Sequence, residues 1–279
     1  MQDLISVQAG VPDIIREMAQ ATSKVILPYF RRPTNIENKL VSQGDSGAAG
    51  FDPVTEADKG AEAVLRQLIN QKFPHHGILG EEYGAENLDA EYVWVLDPID
   101  GTRAFISGLP VWGTLIALCK NGVPILGAMI QPYLNEIFVG GGGHAILSTV
   151  DGSKSDTVLR TRPVTDISQA TIFTTDAKLF EGWEREAYDK IEAQCRLNRY
   201  GLDCYGYAMV AAGMGDFNIE AGLQIYDIAA LVPLIESAGG IVTNWDGTSV
   251  EGLLKRERMR VVASGNKELH QYVLEQLKG

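Results

Sequence analysis

The sequence predicts an α/β protein, with α+β character in its first half. Apolar residues at helical spacing open the chain, apolar β-prone runs joined by short turns fill the stretch 92–139, and strand and helix signals alternate beyond about 171. The 279 residues are 45% hydrophobic, enough for one large domain or two intimately packed halves.

Residues 11–30 carry Ile14, Ile15, Met18, Val25, Ile26, Tyr29 and Phe30 on one helical face, with Pro28 distorting the last turn. The stretch 38–51 holds Gly44, Gly47 and Gly50 among serines and alanines, and predicts a mobile loop. Thr55 is a good N-cap for a helix running to about Lys72, with Asp58 at the capping-box position and Ala61, Val64, Leu65, Leu68 and Ile69 along one face. Strands are expected at 77–79, at 92–96 with a stop at Asp97-Pro98, at 111–118 and at 123–130. Asn121-Gly122 makes the last two a hairpin. A further strand at 137–139 leads to four glycines at 140–143, which lack the Lys and Ser/Thr of a phosphate-binding loop and read as a turn. The polar segment 151–162 predicts a connection between two halves, 1–150 and 151–279, of one integrated catalytic unit. Then follow a strand at 171–174, a helix near 178–193, a strand near Arg199, a helix around 207–212 and a strand at 216–219. A helix at 226–237 closed by Gly239-Gly240, strands at 241–244 and 260–263, and a last helix from Lys267 complete the chain.

Twenty-four basic against 36 acidic residues leave a formal charge of −12, which opposes long-range attraction to nucleic acid or anionic membrane. A phosphorylated ligand would have to be held locally, by cations, helix N-termini or backbone N–H groups. Cys119, Cys195 and Cys204 form neither a metal-ligand spacing nor an even disulfide set, and read as small core residues in a reducing compartment. The sequence shows no basic-then-apolar leader and no run of ~18 apolar residues, so a cytoplasmic protein is expected. The histidines 75, 76, 144 and 270 are scattered without a triad or zinc pattern. Among the tryptophans, Trp112 is the one expected near a site.

The chemistry concentrates in acids. W94-V-L-D97-P-I-D100-G-T102 puts two carboxylates at the C-terminal end of an apolar strand, where α/β proteins commonly build their sites. Asp97, Asp100 and the intervening Ile99 carbonyl can converge on a hard cation. Glu81 and Glu82 sit on a glycine-flanked loop after a strand, and Asp227 opens a helix. If these acids meet, each pair about 4 Å apart repels by roughly 4 kcal/mol at an effective dielectric near 20, a cost that divalent ions would remove. The oxygen-only set favours Mg2+ or Mn2+ over zinc. Each acid also has an ordinary role open to it: Asp97 and Asp100 as turn formers, Glu81 and Glu82 as solvated loop charges, Asp58 and Asp227 as helix caps.

The ordered set D52-P-V-T-E-A-D58, G80-E81-E82, W94-V-L-D97-P-I-D100-G-T102 and E220-A-G-L-Q-I-Y-D227-I-A-A-L with A238-G-G resembles the inositol monophosphatase-like family of metal-dependent phosphatases over essentially the whole chain. The resemblance implies a layered αβαβα sandwich, assembled as a homodimer, that hydrolyses a small phosphate ester with two or three Mg2+ per site, Mn2+ serving as a substitute. It implies Glu81, Asp97, the Ile99 carbonyl, Asp100 and Asp227 as metal ligands. Asp58 and Thr102 are implied to orient or activate water, with Glu81 also counted among the catalytic acids. Gly101 and Thr102 are implied as amide donors to the phosphate, Glu220 as the contact to the leaving alcohol, and Asp100 and Asp227 as further groups facing substrate.

Within the family, D97-P-I-D-G-T-R103-A-F-I-S-G-L-P-V-W112-G, L202-D203-C-Y-G-Y and E220-A-G-L-Q-I-Y-D are more similar to the histidinol-phosphatase branch. That resemblance implies histidinol phosphate as substrate and a place in histidine biosynthesis. Asp203 and Glu220 would face its cationic alcohol, though Asp203 reads equally as a turn acid. Arg103 reads either as a phosphate contact or as half of a surface salt bridge. An inositol or sugar-alcohol monophosphatase is the alternative, and a catalytically silent scaffold the second. Bisphosphate substrates fit less well, because no basic cluster awaits a second phosphate.

Overall fold

Side-chain alternation along the strands accounts for the architecture. In the computed structural model, which describes residues 7–32, 36–38, 53–250 and 258–278, the central strands bury both faces. The expected loop at Gly44 to Gly50, and Asp52, lie outside the described residues.

Helix α1 (Asp13–Ile26) is followed by a short antiparallel pair, β1 (Ile36–Asn38) and β2 (Pro53–Thr55), and by α2 (Glu56–Lys72). Next come β3 (Gly77–Gly80), β4 (Gly84–Glu86), β5 (Tyr92–Asp100), the short α3 (Thr102–Ile106), β6 (Gly113–Lys120), β7 (Val123–Gln131), β8 (Glu136–Gly141), β9 (His144–Ser148) and β10 (Thr157–Val158). The strands β3 to β10 form one sheet in the order β10-β9-β8-β7-β6-β5-β3-β4, antiparallel except where β3 runs beside β5. The second half supplies β11 (Thr171–Thr174), α4 (Trp183–Glu192), β12 (Leu197–Tyr200), α5 (Asp203–Ala211), β13 (Phe217–Leu223), α6 (Ile225–Ile228), α7 (Leu231–Ser237), β14 (Ile241–Asn244), β15 (Met259–Ser264) and α8 (Lys267–Gln276). Its strands make a mixed sheet in the order β12-β11-β13-β15-β14.

Three cores separate the layers. Trp94, Leu96, Ile116, Leu118, Ile137 and Val139 point to one face of the first sheet and meet Ile15 and Met18 of α1 and Leu65 and Ile69 of α2. Their sequence neighbours Val95, Leu115, Ala117 and Phe138 point the other way, onto α5, α6 and α7, which Val261 and Ala263 of the second sheet cover from behind. Ile172, Phe217, Ile219 and Val262 on that sheet's outer face pack against α4 and α8. The period of two along each strand thus yields a layered αβαβα sandwich. Burying each large aliphatic side chain contributes about 1.5–3 kcal/mol. No helix among the described residues is long and apolar enough to cross a membrane.

Several expected boundaries move, for identifiable reasons. The strand expected to stop at Asp97-Pro98 runs on to Asp100 with a register shift between Asp97 and Asp100, where Thr114 Oγ1 donates to the Pro98 carbonyl at 2.7 Å. A bulge accommodates the missing proline N–H. The single helix expected at 226–237 is two, because Pro233 has no N–H to donate back to Ala229 and so cannot continue a ladder from α6. The helix expected near 178 starts at Trp183, behind a 3-10 turn at Ala177–Leu179 that Asp176 caps. Gly140 and Gly141 belong to β8, paired with β7, and only Gly142 and Gly143 turn. The 151–162 connection contains β10, and the helix expected at 207–212 starts at Asp203. Thr55 ends β2 directly before α2, in the N-cap position, and its side chain is outside the described set. Asn121-Gly122 turns the hairpin as expected, both at positive φ.

His270 on α8 tests this packing. It is 3% exposed, with Nδ1 3.0 Å from Ser264 Oγ and Nε2 2.9 Å from Thr243 Oγ1, and burial lowers its pKa to about 4. The unfolded chain takes up this proton near pH 6.5 and the folded chain only near 4, so stability falls as pH drops through that window. The full difference is about 3 kcal/mol. Other buried groups titrate over the same span, so the readout is the difference between two proteins. In urea unfolding at pH 7 and pH 4.5, acidification should cost the wild type clearly more stability, or gain it less, than it does His270→Gln, and equal changes would refute the buried neutral imidazole.

Candidate metal centre and active site

The bulge at the end of β5 and the packing of α6 on that strand bring together acids that are 130 residues apart in sequence. Asp97 shares the face of Val95, which turns toward the middle helical layer. One carboxylate oxygen each from Asp97, Asp100 and Asp227 lies within 4.8 Å of the others. Asp97 is 1% exposed, and its Oδ1 is buried without a hydrogen-bond partner. Burial raises its carboxyl well above the ordinary carboxylate range, and the charges of Glu81, Asp100, Asp227 and Asp58 raise it further. Asp100 is raised to about 7 by burial and then by Asp203, while the Cys204 N–H, donating to Oδ2 at 2.7 Å, opposes the rise.

Asp227 is both cap and cluster member. Its Oδ2 accepts the Gln224 N–H at 2.7 Å in a capping box at the start of α6, which aims the carboxylate at β5. The turn-former role open to Asp97 is removed by its position inside a strand. Ile99 occupies the bulge, with its side chain buried among Ala57, Ala61, Phe105 and Trp112. Trp112 is fully buried, its ring edge-on to Phe105 at 5.0 Å.

Glu81 lies outside the tightest triad but close enough to raise both Asp97 and Asp100. Its N–H donates to Leu96 O at 3.2 Å, which ties its loop to β5 one residue before Asp97. Asp58, 3% exposed in the first turn of α2, acts on Asp97 from the opposite layer. An all-carboxylate set with a buried, unsatisfied oxygen fits a hard divalent cation: the chemistry of the donors matches, and an ion would occupy the lone pairs that hydrogen bonds leave open.

The remaining residues flank this centre. Gly101, at φ 84, caps α3, and Thr102 is its half-buried first residue. A Cβ on Gly101 would stand 3.2 Å from both Asp203 and the Trp112 backbone. Asp203, itself at φ 45, is raised to about 6 by burial, opposed by the charge of the exposed Arg103 and by the Thr175 side chain. Glu220, 1% exposed, is raised to about 8 by burial, with Thr175 N–H donating to Oε1 at 2.6 Å and Oε2 buried unsatisfied. Tyr207, whose hydroxyl is also buried without a partner, lies in the field of Glu220, Asp100 and Asp227. Thr175 also lines a cavity of about 460 Å3 with Asp176, Lys178, Arg185 and Tyr200.

Sequence reasoning did not single out Thr175, Tyr207, the Cys204 amide or Glu62. Only Glu62 leaves a local signal, standing at i+4 from Asp58 and i−4 from Arg66 on one helix face.

The fold is a layered αβαβα sandwich, with a cluster of carboxylates from Asp97, Asp100 and Asp227 at the end of its main sheet. The chain belongs to the inositol monophosphatase family, whose model matches residues 9–279, and so to a family of phosphatases. It is 40% identical over 267 residues to the bifunctional phosphatase IMPL2, chloroplastic, of Arabidopsis thaliana, spanning 94% of this chain and 73% of that one. A histidinol-phosphatase of Chlorobaculum parvum is 32% identical over 90% of this chain and 95% of its own. Among solved structures, an inositol monophosphatase from Zymomonas mobilis superposes with a TM-score of 0.78 at 37% identity, covering 96% of this chain and 98% of that one.

Proposed function

We propose that the protein is a Mg2+-dependent phosphomonoesterase that converts histidinol phosphate to histidinol and phosphate, a step of histidine biosynthesis. The observation that carries the metal-dependent reading is the buried convergence of Asp97, Asp100 and Asp227 around an oxygen that no hydrogen bond satisfies. Glu81, Asp97, the Ile99 carbonyl, Asp100 and Asp227 would hold two or three ions. When bound, Mg2+ supplies Lewis acidity that offsets negative charge building on the phosphoryl oxygens and the departing alkoxide. Asp58 and Thr102 orient the attacking water, and Asp58 accepts its proton. Amides at Gly101 and Thr102, ahead of the α3 ladder, receive the phosphoryl oxygens. Water displaces the alkoxide on phosphorus directly, so no covalent enzyme intermediate forms.

The preference for histidinol phosphate rests on Asp203 and Glu220. Two buried carboxyls with raised pKa gain from a cation, and an ammonium on the leaving alcohol supplies one. The alternative is a neutral polyol such as inositol phosphate, supported by the likeness to the Zymomonas mobilis structure. The test is phosphate release from histidinol phosphate, inositol 1-phosphate and β-glycerophosphate, with Mg2+ and with chelator. Histidinol phosphate should lead by at least tenfold in kcat/KM, and Glu220→Gln should narrow that lead; preference for inositol phosphate would overturn the substrate. No release from any ester would favour a silent scaffold.

We further propose that 1–150 and 151–279 work as two halves of one catalytic unit. The assembly we propose is a cytoplasmic homodimer, for which the three free cysteines suit a reducing setting. Sedimentation showing only monomer at assay concentration would remove the dimer.

A further inference from the structure

We infer that Glu62 is a positioning residue for the metal centre: its carboxylate clamps the turn that carries Glu81. This rests on the reading of Glu81 as a metal ligand.

Glu62 is completely buried on α2, where a carboxylate needs strong partners. It has three. Oε2 accepts the backbone N–H of Glu82 at 2.7 Å, and Oε1 accepts that of Tyr83 at 3.1 Å and Arg66 Nε at 2.8 Å. Arg66, whose side chain is 14% exposed, also reaches the Gly84 carbonyl and stands 3.5 Å from Glu86 Oε2. The guanidinium balances the buried charge and closes the far end of the same turn. On the near end, Glu81 N–H is held by Leu96 O. The peptide units before and after Glu81 are therefore both fixed, which leaves that residue little freedom beyond its own side-chain torsions.

The approach is close enough to dictate sequence. A Cβ on Gly80 would stand 2.0 Å from Glu62 Oε1, so any other residue at position 80 must push the carboxylate off the turn. Asp58, Glu62 and Arg66 recur every fourth residue along α2. One helix face thus supplies an acid facing Asp97, the clamp on the Glu81 turn and the clamp's counter-ion.

The test is calorimetric titration of Mg2+ into the wild type and Glu62→Gln, with kinetics on β-glycerophosphate. Glutamine keeps the shape but turns an N–H2 toward an N–H, losing at least one bond. Mg2+ affinity should fall at least tenfold while KM at saturating Mg2+ stays within twofold. Gly80→Ala, which displaces the carboxylate without altering its charge, should do the same. A variant that melts earlier yet binds Mg2+ as tightly as the wild type makes Glu62 merely structural and overturns the inference. Should Glu62→Gln not fold, Arg66→Met carries the test: half-saturating Mg2+ rises at least threefold, or the inference falls. A wild type that binds Mg2+ but hydrolyses no ester removes the phosphatase reading alone, leaving calorimetry to judge Glu62. A wild type that binds no Mg2+ removes both.

Discussion

Asp97→Asn is expected to lower turnover at least a thousandfold, about 4 kcal/mol of transition-state stabilisation, while leaving the metal-free fold as stable as before or more so. The two effects have opposite signs because the residue serves function against stability. Its carboxyl is 1% exposed among Glu81, Asp100, Asp227 and Asp58, so in the absence of ions an amide, which cannot ionise, removes the cost of carrying a charge there. The same substitution replaces one of the two oxygens by an N–H2 and leaves a neutral carbonyl, a far weaker ligand for a hard cation, at the buried position. Thermal melts in chelator and kcat at saturating Mg2+ read the two sides separately. Activity within tenfold of wild type, or a collapsed fold in chelator, would contradict the assignment.

The second large effect is a coupling between Mg2+ and pH. Without metal, Asp100 holds its proton up to about pH 7 in the folded state, whereas in the unfolded chain it ionises near 3.8. The stabilising contribution of that proton is complete below pH 3.8 and is lost as pH rises through 7. Asp97 moves in the same direction. The metal-free protein should therefore weaken between about pH 4 and 7, and Mg2+, which takes the place of these protons, should stabilise more as pH rises. At a concentration a hundredfold above its dissociation constant, an ion contributes about 2.7 kcal/mol, or about 5–10 °C in Tm for a chain of this size. Differential scanning fluorimetry at pH 8 should show that increment, and at pH 5.5 a clearly smaller one. An increment equal at both, or larger at pH 5.5, would mean that the acids are not the binding groups.

What could be read from the residues, and what could not, divides along a physical line. The runs V93-W-V-L96 and L115-I-A-L118 announce strands buried on both faces, since no polar residue interrupts them. Asp97 and Asp100, three apart after such a run, announce a site. The bulge that turns both inward depends on Thr114 meeting the Pro98 carbonyl from the next strand, and no local pattern encodes that contact. Likewise the spacing around Tyr226 gives a helix, but that Asp227 both caps it and joins the acids of β5 is exposed only by the packing of α6 on β5. The spacing alone runs one helix through 226–237, and the break between α6 and α7 at Pro233 emerges only in the structure. Glu62 was legible only as an acid at i+4 from another acid, because its partners are amides of a turn 20 residues away. The order of the five layers came from resemblance, and the side-chain alternation explains it afterwards.

The central claim is that these carboxylates form one pocket whose cation makes the protein a phosphatase. Its most direct measurement is Mg2+ binding and phosphate release followed on the same preparation, wild type beside Asp97→Asn. The wild type should bind Mg2+ and release phosphate only when it is bound, and the variant should lose both together. Phosphate release persisting in excess chelator, or a wild type that binds no Mg2+, would contradict it.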